Sequence, residues 1–125
     1  MLHRILVIDI HGGVDQSGLE RLRAQLDLKK RGRLTDDWDQ AFGDRKIERA
    51  GGQYTKVSLF RQFDGSWTVP VVDTEELDPN SEEVASLRAE LVSSIEAAGY
   101  AATVRATPTV GTYTDYISRL ESDEP

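Results

Sequence analysis

At 125 residues, with 38% hydrophobic and 30% charged side chains, the chain has the length of one ordinary domain and enough Leu, Val and Ile to offset the entropy of ordering. It contains no cysteine, which excludes disulfide frameworks, thiolate metal sites and thiol nucleophiles. A formal net charge of -7, from 22 acidic and 15 basic residues, opposes phosphate backbones and anionic lipid surfaces, so a basic protein is the expected partner, with no nucleic acid and no membrane.

The opening, with Ile5-Leu6-Val7-Ile8 in a β-branched run, reads as a buried strand from Arg4 to Ile10 rather than a leader peptide. No apolar stretch approaches the ~18 residues of a membrane span, and a cytoplasmic address is the expectation. Gly12-Gly13 closes this strand in a turn. Ser17 and Glu20 have capping-box spacing, and Leu19, Leu22 and Leu26 share one helical face, which predicts a helix over 18–28.

Four cations in Lys29-Lys30-Arg31-Gly32-Arg33 then complement the negative end of that helix. Residues 29–52 are expected to form an inserted helical excursion. Its short helix starts after Thr35, with Asp36 and Asp37 in the first turn and Trp38 and Phe42 four apart. Next, Val57 to Phe63 and Ser66 to Val72 read as strands joined by a two-residue Asp64-Gly65 turn. Pro70 cannot donate to a ladder, which suggests an edge strand or an outward-facing position. The aromatics Tyr54, Phe60 and Phe63 are expected in the core.

A second main helix begins near Asp78-Pro79-Asn80-Ser81, carries the stripe Val84, Leu87, Leu91, Ile95 and stops at Gly99. Residues 102–107 form a last strand. Tyr113, Tyr116, Ile117 and Leu120 have the spacing of a C-terminal helix, before a disordered acidic tail over 121–125. The expected fold is therefore α+β: a ferredoxin-like βαββαβ sandwich over 1–120 with an inserted short helix and a C-terminal helix. Both main helices would cover one sheet face. The other face, or an edge strand, is left for a partner, a ligand or a homodimer.

The chemistry-bearing candidates are few. Asp9-Ile10-His11 at a strand end, with Gly43-Asp44, resembles the metal-binding opening of calcineurin-type metallophosphoesterases. That likeness implies a small metal-dependent phosphoesterase-like enzyme using Asp9, His11 and Asp44; apart from the likeness, Asp9, His11 and Asp15 have the side-chain types to hold a single divalent metal. The downstream histidines which that family supplies are missing, since His11 is the last one here. With only His3 and His11 as imidazoles and no Gly-x-Ser-x-Gly elbow, Ser-His hydrolysis is not expected.

The second candidate is Asp36-Asp37-Trp38-Asp39, carboxylates set around an aromatic. Through the Trp38-Asp39 dipeptide and its place after a strand and a helix, it resembles the acidic binding helix of barstar-like ribonuclease inhibitors. Glu75, Glu76, Asp78, Glu82 and Glu83 add a second acidic edge. The expected function is a non-enzymatic, acidic protein-binding module of inhibitor, immunity or accessory type. It would mask a basic surface through Asp36, Asp37, Trp38 and Asp39, with no cofactor.

Overall fold

A computed structural model describes residues 2–30 and 40–105. The opening apolar run becomes strand β1 (His3–His11), which turns Leu6, Ile8 and Ile10 into the main core and Val7 and Asp9 to the opposite face. A register shift between Arg4 and Leu6 lets the successive residues Ile5 and Leu6 both enter that core. Helix α1 (Gln16–Leu26) follows. Its cap is Asp15, whose carboxylate accepts from the Gly18 amide at 2.7 Å, so the helix starts before the expected Ser17 box. Ser17 instead accepts from Arg21, whose Nε donates to the Ala98 carbonyl at 3.1 Å.

The helix ends at Asp27 in a left-handed conformation (φ 55), and Lys29–Lys30 form the two-residue strand β2. The expected helical excursion over 29–52 is corrected where it is described, by this strand and by β3 (Gln40–Glu48), which pairs along the whole of β4 (Tyr54–Arg61); residues 31–39, where the short helix was expected to start, lie outside the described residues. Phe42, expected on that short helix, lies on β3 instead, while Trp38 lies outside the described residues. Phe42 is fully buried, its ring centroid 5.1 Å from that of Trp67.

Strand β4 runs into β5 (Trp67–Asp73), helix α2 (Glu82–Ala97) and strand β6 (Ala101–Arg105). The expected two-residue Asp64-Gly65 turn is a three-residue one. The Gln62 amide donates to the Ser66 carbonyl, the Gly65 amide donates back to Gln62, and only Gly65 takes a positive φ (88). A type I′ turn needs positive φ at both central residues. Asp64 instead takes up the Ser66 amide and hydroxyl with its carboxylate, which fixes the longer loop. Phe63, expected in the core, sits at this tip, 77% exposed.

Helix α2 is capped by Ser81, has Glu82 and Glu83 in its first turn, and stops where Gly99 takes φ +99. The strands form one antiparallel sheet in the order β2-β3-β4-β5-β1-β6, five strands of normal length with β2 a short edge piece. Strand β5 is internal rather than an edge. It accommodates Pro70 because the β4–β5 ladder lapses between Val57–Val71 and Phe60–Thr68 while Pro70 faces Val7 on β1. The architecture is thus α+β.

Two apolar clusters lie on opposite faces of this sheet. The larger joins Leu19, Leu22 and Leu26 of α1 and Val84, Leu91 and Ile95 of α2 to the inward side chains of β1, β4 and β5. The smaller, Leu2, Phe60 and Val72 with Ala41 and Tyr54 against it, lies on the face away from both helices. Residues 106–125, with the expected C-terminal helix and acidic tail, lie outside the described residues. Truncating Phe42 to Ala should cost about 3 to 5 kcal/mol in urea unfolding, whereas Phe63→Ser should change stability by no more than about 0.5 kcal/mol.

Candidate functional site

Asp9 and His11 alternate with Ile8 and Ile10 along β1 and therefore project from the sheet face opposite the helices. Strand β6 pairs beside them and supplies their partners. Arg105 Nε donates to Asp9 Oδ2 at 2.6 Å, and His11 Nε2 lies 2.7 Å from Thr103 Oγ1. Asp15 spends its carboxylate on the α1 cap. Asp44 sits on β3, opposite Ser58 of β4 and Lys29 of β2. With β4 and β5 between β3 and β1, it is three strand spacings, roughly 14 Å, from Asp9.

The set Asp9, His11, Asp44 is therefore not brought together by the fold. Among the described residues, no group of three His, Asp or Glu side chains is arranged to hold a metal ion. The residues Asp36, Asp37, Trp38 and Asp39 lie outside the described residues. The second acidic edge is described: Glu75, Glu76 and Asp78 on the β5–α2 connection and Glu82 and Glu83 at the start of α2 are all exposed.

Sequence reasoning missed a buried polar assembly among the described residues. Asp73, at the end of β5, is wholly buried. Arg49, in the β3–β4 connection, grips its carboxylate with both terminal nitrogens, at 2.7 and 2.8 Å, and donates further to Thr55 at 2.9 Å and Glu75 at 2.8 Å. The Thr55 hydroxyl and the Glu75 amide also donate to Asp73. Burial alone would push the Asp73 carboxyl up. The hydrogen bonds from Arg49, Thr55 and Glu75, with the charge of Arg49, outweigh it and hold the group below the usual carboxylate range. The same bonds, led by the one from Asp73, raise the Arg49 guanidinium.

This clamp ties the β3–β4 connection to the end of the internal strand β5, and all its polar groups face one another. Its only local signal was an acid at the end of the Val71-Val72 run. The partner, 24 residues earlier, is set by strand register and not by spacing. A second buried pair of cations lies over the aromatics at the other end of the sheet. Arg23 Nε donates to the Phe42 carbonyl at 2.7 Å, and the Arg61 guanidinium stands 5.3 Å from the Phe42 ring and 6.0 Å from that of Trp67. Burial, opposed by nearby Glu20, lowers the Arg23 guanidinium.

Because the native Asp73 pKa lies below its unfolded value, the stability it contributes is present in full above about pH 4 and fades as the pH falls through the native value. Asp73→Asn should therefore lose about 3 kcal/mol at pH 7, at the lower end for a broken buried pair because Arg49 is 23% exposed. Urea midpoints measured from pH 7 to pH 2 should show the gap between the two proteins closing only below about pH 4. A gap independent of pH would assign the loss to packing. Comparison with protein-family models, curated proteins and solved structures finds no match to this chain.

Proposed function

We propose that the chain is a non-enzymatic, acidic protein-binding module of inhibitor, immunity or accessory type. It masks a basic surface on a partner protein through Asp36, Asp37, Trp38 and Asp39. The observation that carries this reading is where the acids go. Asp9 and Asp73 are engaged within the sheet, by Arg105 and by Arg49, while Glu76 and Asp78 on the β5–α2 connection and Glu82 and Glu83 in the first turn of α2 stand exposed, beside Glu75, which shares Arg49, in a chain of net charge -7. A field of that sign, concentrated on a loop carried by a rigid sheet, steers a cationic partner and speeds its encounter.

The same proposal reads the scaffold as a ferredoxin-like βαββαβ unit. The order β4-β5-β1-β6, with helices following β1 and β5, supports this reading, and β3 then adds an outer strand to that unit.

Affinity capture from the native lysate, with the parent protein and an Asp36→Lys/Asp37→Lys/Asp39→Lys variant side by side, tests the interface. The parent should retain a basic protein that is released as the salt approaches ~1 M, where the Debye length falls to ~3 Å, and the variant should not. Equal recovery by both, or recovery insensitive to salt, would overturn the acidic-interface reading.

A further inference from the structure

Both main helices lie on one face of the sheet, yet the other face is not built for water. Along β4 and β5 the side chains directed away from the helices are Lys56, Ser58, Phe60, Thr68, Pro70 and Val72. All are buried, Phe60 at 2%, Ser58 and Thr68 at 1% and Val72 at 0% exposure. Val7 of β1, on the same face, is likewise fully buried. A solvated antiparallel face alternates with a polar one, and here the alternation is lost.

Two stretches of the chain lie outside the described residues and could reach this face. The stretch 31–39 is tethered at both ends at the β2–β3 edge, between Lys30 and Gln40. A doubled-back stretch of nine residues reaches roughly 15 Å, about as far as β1, but five of its nine residues are charged and Leu34 and Trp38 are its only large apolar side chains, too little to cover Val7, Phe60 and Val72 together. The stretch 106–125 is tethered only at Arg105, on the opposite edge strand β6 and beside β1. Its length, about 30 Å if helical, matches the roughly 24 Å across the sheet, and it carries apolar residues at 113, 116, 117 and 120.

We propose that the chain's own C-terminal segment, residues 106–125, docks across the second face of the sheet, with Tyr113, Tyr116, Ile117 and Leu120 covering Val7, Phe60 and Val72. The sheet is then a middle layer between the α1–α2 pair and this segment. Self-association through an open sheet face is precluded, because the occupant is already present in each chain. Displacing the segment would expose an apolar surface large enough to drive association.

The chain lacks cysteine, so one introduced thiol reports on the face. In full-length Ser58→Cys, the thiol should react with a maleimide slowly and at a rate independent of protein concentration. Adding Ile117→Asp/Leu120→Asp should speed the reaction about tenfold or more while the far-UV circular dichroism of the sheet is kept. Fast reaction in Ser58→Cys itself, or no acceleration in the triple variant, would overturn the proposal. A second measurement covers the case in which the triple variant unfolds. Full-length Ser58→Cys/Ile117→Cys treated with a short bis-maleimide should give a cross-linked monomer. Cross-linked dimers, or no cross-link, would contradict docking within the chain.

Discussion

The whole of β5, Trp67 to Asp73, is buried, so both faces of an internal strand are removed from water and a charge on it must be answered from within. Asp73 is answered most fully, by a bidentate guanidinium, a hydroxyl and an amide. That arrangement fixes more than one strand. Arg49 and Thr55 flank the β3–β4 connection, so the carboxylate at the end of β5 sets how the outer hairpin closes on the sheet. Neutralising it would leave a half-buried cation facing an uncharged group, the costly half of a broken ion pair.

The same two-sided burial bears on function. Groups whose types suggest chemistry, Asp9, His11, Asp15 and Asp73, hold Arg105, Thr103, the α1 amide and Arg49 respectively. Exposed acids gather between β5 and the first turn of α2, at Glu75, Glu76, Asp78, Glu82 and Glu83.

Much of the fold was legible because it rests on local chemistry. The β-branched run of β1, the Leu19-Leu22-Leu26 and Val84-Leu91-Ile95 stripes, the Ser81 cap and the Gly99 stop each depend on neighbours a few residues away. Strand β3 was misread because Phe42, its one fully buried large side chain, stands between Ala41 and Gly43 ahead of the charged run Asp44-Arg45-Lys46, and only the pairing with β4 makes 40–48 a strand. The Asp64-Gly65 loop was one residue longer than its dipeptide suggests, because the Asp64 side chain bonds Ser66. For the candidate sites, Asp9 and His11 were placed correctly at a strand end, but their partners on β6 come from register. No spacing in the sequence could show that Asp44 is held on a distant strand.

The claim on which the account turns is that the sheet is covered on both faces, and adjacent valines on β5 test it most directly. Val71 belongs to the helix-facing core and Val72 to the opposite cluster, and both are fully buried. Urea unfolding of Val71→Ala and Val72→Ala should show comparable losses of about 2 kcal/mol, the sum of the lost methyl burial and a small residual cavity. A normal loss for Val71→Ala with a change within about 0.5 kcal/mol for Val72→Ala would mean that the second face is open to water, and would contradict the account.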